Sequence, residues 1–500
     1  MTVYNFNMGI GWASSGVEYA QYYRSLAFDY LDVDAKFIFT DLILNENIQT
    51  LTSNMGFKDQ QVIWLYQAFS DLPIEASSYR LDQVLAQYVQ QPIRFERAAN
   101  IIRYYFNEQG DFLTCYLKKG TEDIVDRAEF VSRNCLIRKD YYASQLYLSE
   151  YYVPKDNQAK VRCRQFYNQD GSISLTEIID EDKSIYRIDQ EIFYSKAELV
   201  GYFILNLSLT EQDILLIDRS ADIAEPIFRY HGPAKVGVIV HADHFSEPNT
   251  TDQRILWNNY YEYQFMNVEE VDFIVCATRP QSQLLANQFW HYYQKKPLIY
   301  TIPVGNLLTI KSNHNTRQPY ALITASRLAK EKHIDLIIEA VVQARRQIPQ
   351  LRLDIYGEGG ERSSLEELIK AKHGQDYIHL KGHQDLNDIY QYYQAYVSAS
   401  MSEGFGLTLM EAIGSGLAMI GFDVRYGNQN FIRPQENGYL LALGDKSRPY
   451  FIDQLSQAII QLFSVDLPQM QARSYQLAEE FTLERVAGMW QDLIKEVIHA

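Results

Sequence analysis

The sequence predicts an α/β chain built from two doubly wound parallel-sheet domains, with an antiparallel β-meander inserted in the first. Three observations predict it. Short apolar strands alternate with longer helical segments before Gly305, and the alternation restarts after it. A hairpin-rich stretch from Ile101 to about Gln190 interrupts the first series. The start of the chain, Thr2 to Ile38, supplies one more strand and helix in the format of that first series.

Each element has a local reason. AKVGVIVHADH, VDFIVCAT and KPLIYTIPVG are apolar runs that end in polar loops, and segments of helical composition lie between them. The second series repeats the format in PYALITASRLAKEKHIDLIIEA, LRLDIYGEGGERSSLEELIKAKHG, YIHLKGHQDLNDIYQYYQ and YVSASMSEGFGLTLMEAIGSG. LAMIGF and NGYLLAL are two further strands, and Asp453 to Ile498 reads as mostly helical. Parallel sheets with helical crossovers follow from elements of these lengths. In the insert, Gln109-Gly110-Asp111 and Asp170-Gly171 separate extended runs. The favoured two-residue turn needs positive φ, so both are hairpin signals. The stretch from about Gln60 to Asn100 reads as helical and connective. The expected division is 1–70 and 201–305 for the first sheet domain and 71–200 for the insert with connecting helices. Residues 306–482 form the second domain, and 483–500 a final helix that returns to the first.

Composition narrows the function. Of 500 residues, 47% are hydrophobic and 22% charged, which excludes a mostly disordered chain. With 46 Lys+Arg against 63 Asp+Glu, the net charge of −17 lacks the basic footprint of a nucleic-acid binder, and no nucleic-acid partner is expected. No Lys or Arg precedes Arg24, so a charged secretory start is missing. No apolar run approaches the roughly 20 residues that span a bilayer. Four cysteines without CxxC spacing fit a reducing compartment. The expected location is the cytoplasm, with room for peripheral contact at the inner face of the cell membrane.

In open α/β sheets ligands bind beyond the carboxyl ends of strands, so the candidate residues lie in those loops. Ser14-Ser15-Gly16-Val17-Glu18-Tyr19 opens a helix after the first strand. Its free amides suit a phosphate, while taken alone it reads first as a helix cap. Arg327 and Lys332 stand in the strand-to-helix loop SRLAKEK, where a planar donor fork and a point charge could meet a diphosphate. The same segment reads as solvated surface charge. Glu403-Gly404-Phe405-Gly406-Leu407 leads into a helix that carries Glu411, with seven residues between the two glutamates. That spacing places one carboxylate in the loop and one a turn or two into the helix. His241 ends the apolar strand VGVIV. Two DxD triplets, Asp32-Val33-Asp34 and Asp180-Glu181-Asp182, lie away from these loops and read as turns, not as metal ligands.

EGFGLTLMEA, SRLAKEKHIDLIIEA and TIPVG resemble the retaining glycosyltransferases of GT-B architecture, with their E-x7-E glutamates. With SSGVEYAQYYR, the meander and VIVHADHFSE, the chain is similar to the catalytic subunits that glycosylate serine-rich-repeat adhesins in Gram-positive bacteria. The resemblance implies a UDP-N-acetylglucosamine donor, retention of the α configuration and acceptor Ser/Thr hydroxyls on an unfolded adhesin. It implies that Arg327 and Lys332 hold the diphosphate, that Glu411 accepts the ribose hydroxyls and that Glu403 to Leu407 hold the hexose. His241 would touch the sugar, His383 and Gln384 the nucleotide, and Gly16 to Tyr19 the UDP from the other domain. No metal or other cofactor is implied. A homologous non-catalytic GtfB-like subunit is the implied partner, through the insert. UDP-glucose as donor, wall teichoic acid as acceptor and a non-catalytic binding subunit are the alternatives. A pyridoxal-phosphate phosphorylase on a related fold is a further one.

Overall fold

The computed structural model describes residues 1–11, 16–219, 222–311, 317–445 and 447–499. The chain forms two compact units, Met1–Tyr22 with Val33–Gly237 and Tyr23–Asp32 with Val238–Ala500. Three sheets form among the described residues.

The first sheet has seven strands, in the order Ile299–Thr301, Phe273–Cys276, Lys235–Val240, Ile214–Ile217, Thr2–Asn7, Asp34–Phe39 and Val62–Trp64. Thr2–Asn7 runs parallel to both Ile214–Ile217 and Asp34–Phe39. All four residues of Ile214–Ile217 and of Phe273–Cys276 are buried, as strands covered on both faces require. Ile214–Ile217 is a further strand of this sheet, which the sequence pattern alone does not single out because it is only four residues long.

The insert is a ten-stranded antiparallel sheet, ordered from Arg94–Ala98 to Glu191–Phe193 as the strands follow in the chain. Gly110 and Gly171 take φ of +94° and +83° at the two expected hairpin turns. One face packs Ile102, Leu113, Ala128, Phe130 and Tyr142 against Val84 of the helix Leu81–Ala86. The other face carries a directly opposed row: Glu96, Arg103, Thr114, Glu129, Lys139, Glu150, Arg164 and Glu177. Arg164 bonds Glu150 and Glu177, each at 2.8 Å. A slip of one residue would turn the apolar set outward and break this row, so the two faces fix register together. Trp64 and Tyr66 of the parallel sheet's edge pack their rings on Tyr147, Phe166 and Tyr186 of the insert.

Two expectations need correction. Residues 60–100 are not mainly helical: they hold the strand Val62–Trp64, an irregular run, the short helix Leu81–Ala86 and the strand Arg94–Ala98. Pro73 and Pro92 lack amide donors, and the run is held extended by long-range bonds. Ser77 Oγ donates to the Tyr142 carbonyl at 3.0 Å, and the Ser78 amide to that of Ala143 at 3.0 Å. Likewise NDIYQYYQ is only a single 3-10 turn, Tyr390–Tyr392. The DxD triplets fall at turns, with Asp32 and Glu181 at φ of +55° and +57°.

The second parallel sheet orders its six strands as Ile378–Gly382, Arg352–Tyr356, Ala321–Ala325, Ala395–Ser398, Ala418–Phe422 and Gly438–Leu441. The chain builds outward from Ala321–Ala325 in one direction, then returns to its other side at Ala395–Ser398. That reversal is a topological switch point, and the loops after its two strands are Ser326–Lys332 and Ala399–Gly406. Leu322, Ile337, Leu353, Val397, Ile420 and Ile459 fill the core beneath them. The final helix, Leu483–His499, sets Trp490 edge-on to Phe28, ring centroids 5.4 Å apart, with Arg24 over the indole. No helix among the described residues is long and apolar enough to cross a membrane.

Candidate functional site

The loop after Ala321–Ala325 is shaped by a neighbour that the sequence reading did not single out. The Ser326 amide donates to the Tyr356 carbonyl at 3.1 Å and that of Leu328 to Glu358 at 2.9 Å. Gly357 has φ of +126°, and a Cβ there would stand 1.9 Å from the Ser326 carbonyl oxygen. The Gly-Glu-Gly-Gly run directly after a strand was the available signal. Arg327 is exposed and pairs with Glu331 at 2.6 Å. Lys332 closes the 3-10 turn Lys330–Lys332, and its Nζ lies 2.6 Å from Glu403 Oε2. The two groups read as a phosphate holder and a sugar holder are therefore each other's partners, and both side chains are mostly buried.

Glu403 is clamped through its backbone. Its carbonyl accepts from the amides of Tyr426 at 2.6 Å and Gly427 at 2.8 Å, and its amide donates to the Arg425 carbonyl at 3.1 Å. A Cβ on Gly427 would stand 2.1 Å from the Phe405 carbonyl oxygen. A Cβ on Gly404 would stand 2.5 Å from that of His241. Phe405 packs edge-on to Phe431 and Phe481. Gly406, at φ of +87°, starts the helix Leu407–Gly414, and no side chain caps it. The positive end of that helix faces the same loop as Lys332 and Glu403, an arrangement that favours an anion.

Glu411 lies in the second turn of this helix. Tyr23 and Tyr390 donate their hydroxyls to its Oε1 at 3.3 Å and its Oε2 at 3.0 Å. Part of the residue stays accessible, yet its carboxyl group sits among protein atoms. Burial pushes that carboxyl up to about 7, against the lowering effect of the two hydroxyls and with a further rise from Asp385. A carboxyl raised in this way stabilises the fold at low pH, and the contribution is lost as pH rises to about 7. His383 and Gln384 are exposed in the loop after Ile378–Gly382, where Gln384 donates to the Lys381 carbonyl at 3.1 Å.

His241 is half-buried at the end of Lys235–Val240. The Tyr261 hydroxyl accepts from the amides of His241 at 2.9 Å and Ala242 at 3.3 Å. Asp243 accepts from the Ser402 hydroxyl at 2.7 Å, joining this loop to the one before Glu403. His244 is buried, and burial pushes its imidazole down to about 4. Its Nε2 lies 2.7 Å from the Gln288 amide oxygen, a bond that opposes the effect of burial without cancelling it. His231 bonds the Ala234 carbonyl at 2.7 Å, in the turn before the strand Lys235–Val240.

His241, Lys332, Glu403 to Leu407 and Glu411 thus stand together in the second unit. Gly16–Tyr19 open the helix Gly16–Tyr30 in the first, with Val17 and Glu18 buried and Gly16 and Tyr19 exposed. Ser14 and Ser15 lie outside the described residues. Asp243, Ser402, Arg425, Tyr426 and Gly427 are the positioning residues that sequence reasoning missed.

Residues 94–190 match the GtfA extended beta-sheet domain, and residues 308–476 match glycosyl transferases group 1. A Streptococcus gordonii protein named UDP-N-acetylglucosamine–peptide N-acetylglucosaminyltransferase GtfA subunit is 50% identical over 99% of both chains. Its Streptococcus pneumoniae namesake is 47% identical over 100% of both. The crystal structure of the pneumococcal O-GlcNAc transferase GtfA with UDP and GlcNAc superposes with a TM-score of 0.95 at 46% identity, covering 100% of this chain and 99% of that one. A crystal structure of a GtfA/B complex gives 0.95 at 50% identity, with 100% of both chains covered. The more distant TarM structure, at 19% identity over 99% of this chain and 98% of that one, has a TM-score of 0.79 and shares the fold. The fold is GT-B, and the chain belongs to the family of UDP-N-acetylglucosamine–peptide N-acetylglucosaminyltransferase GtfA subunits.

Proposed function

We propose that this chain is the catalytic subunit of a retaining glycosyltransferase. It moves N-acetylglucosamine from UDP-GlcNAc to Ser/Thr hydroxyls of an unfolded serine-rich-repeat adhesin. The observation that carries the reading is the joined constellation of Lys332, Glu403, the Leu407–Gly414 helix start and Glu411. A non-catalytic subunit has no need to keep it.

The chemistry follows from charge. As the bond between C1 and the phosphate oxygen breaks, its electron pair leaves with UDP and positive charge builds on the sugar. Lys332, Arg327 and the first-turn amides of the Leu407–Gly414 helix meet the negative charge. The acceptor oxygen bonds C1 on the face that UDP leaves, and its proton passes to a leaving phosphate oxygen, so no separate base is needed. Glu403, held by Lys332 and by its clamped backbone, orients the sugar; that ion pair makes it a poor covalent nucleophile. Glu411 takes the ribose hydroxyls, His383 and Gln384 the nucleotide, and His241 the sugar.

With cations and amides on the diphosphate, no metal or other cofactor is required. Transfer to a Ser/Thr-rich peptide, followed by mass spectrometry over several UDP-sugars, is expected to show a HexNAc increment from UDP-GlcNAc that persists in EDTA. Transfer restricted to UDP-glucose would move the donor assignment. Loss in EDTA restored by Mn²⁺ would overturn the metal-free mechanism.

The chain works in the cytoplasm, with peripheral membrane contact, in a complex with a GtfB-like subunit held through the insert. Ile178 and Ile185 oppose one another on adjacent strands of the insert and are exposed. The I178E/I185E variant is expected to lose co-purification with that subunit and still bind UDP. Unchanged co-purification would place the contact elsewhere.

A further inference from the structure

We infer that Tyr23 and Tyr390 are positioning residues for the nucleotide: their hydroxyls turn Glu411 into an acceptor shaped for a vicinal diol. The inference rests on the reading of Glu411 as the ribose-binding carboxylate and adds what prepares that carboxylate. An ionised carboxylate offers about four lone-pair sites, two on each oxygen. Tyr23 occupies one on Oε1 and Tyr390 one on Oε2. One site per oxygen is left, on two atoms of one rigid plane, which matches the two adjacent hydroxyl donors of a ribonucleoside.

Both tyrosines are fixed by groups other than Glu411. Asn306, buried after the Val304-Gly305 segment, donates from Nδ2 to the Tyr23 carbonyl at 2.8 Å. Tyr390 is almost wholly buried, with its ring 6.3 Å from that of Tyr396. Tyr23 lies on the helix that begins at Gly16, and Tyr390 follows His383 and Gln384 in the same loop. Two segments assigned to the nucleotide therefore each supply one arm of the clamp.

The groups facing Glu411 are Tyr23 from the first helix, Tyr390 from the 3-10 turn, Asp385 from the loop before it and Tyr396 from the Ala395–Ser398 strand. Burial and the Glu411 carboxylate hold the Tyr390 hydroxyl well above its ordinary range, so it remains a donor across the working pH. Each hydroxyl favours the ionised carboxylate, which is the form that accepts from ribose. Nucleotide affinity is then expected to rise as pH increases through about 7. Removing a hydroxyl moves that midpoint upward.

The test is calorimetric binding of UDP and 2′-deoxy-UDP between pH 5.5 and 9 to the full chain and to Y23F, Y390F, Y23F/Y390F and E411Q. The wild type is expected to prefer UDP by about tenfold or more, the worth of one hydrogen bond to a charged group. Y390F should shrink that preference and raise the pH midpoint, and the double variant should do so further. E411Q should abolish the pH dependence of the preference for UDP over 2′-deoxy-UDP, the phosphate titration being common to both nucleotides. Equal weakening of both nucleotides with an unmoved midpoint would mean that the tyrosines only support the fold, and would overturn the inference. No uridine nucleotide binding to any protein, wild type included, would instead sink the functional reading beneath it.

Discussion

Replacing Lys332 with alanine is expected to lower sugar transfer by about 100- to 1000-fold, the usual effect of removing one donor aimed at developing charge. Two losses coincide. The departing diphosphate loses a cation, and Glu403 loses the partner 2.6 Å from its Oε2. Steady-state kinetics should place the defect in kcat, because the charge develops in the transition state. K332R should recover part of the rate: the charge returns, but a planar fork does not reproduce a compact ammonium. Arg327 is the exposed member of the pair, free to swing from Glu331 to a phosphate. Unchanged turnover in R327A/K332A would remove the electrostatic mechanism altogether.

Replacing Gly427 with alanine is expected to cost about 1–3 kcal/mol of stability through overpacking, together with most of the transfer activity. The new Cβ would stand 2.1 Å from the Phe405 carbonyl oxygen, and backbone cannot rotate aside as a side chain can. Relief requires the Glu403–Gly406 loop to move, so the carboxylate that orients the sugar moves with it. Gly488, in the final helix, supplies the opposite case: a Cβ there meets nothing within 4 Å. G488A is expected to raise the melting temperature slightly, since alanine favours an exposed helix over glycine. A melting temperature for G427A as high as that of the parent would show that the loop tolerates the shift.

Much of this molecule is legible without coordinates because the signals are local. Positive-φ turns at Gly110 and Gly171 and the strand-to-helix loops of the second sheet all depend on residues adjacent in the chain. Where the reading failed, distant groups had overruled local propensity. Within residues 60–100, Ser77 and Ser78 are held extended by bonds to the Tyr142 and Ala143 carbonyls of the insert.

By itself the sequence determined the two α/β series, the antiparallel insert within the first and the residues that carry charge to the strand-end loops. Only the tertiary structure decided how those residues face one another. Lys332 meets Glu403 across 71 positions, and Tyr23 meets Glu411 across 388. The physical reason is separation along the chain. Apolar periodicity and turn chemistry act over a few residues, whereas an ion pair or a shared carboxylate exists only once burial and sheet register have brought remote segments within hydrogen-bond reach.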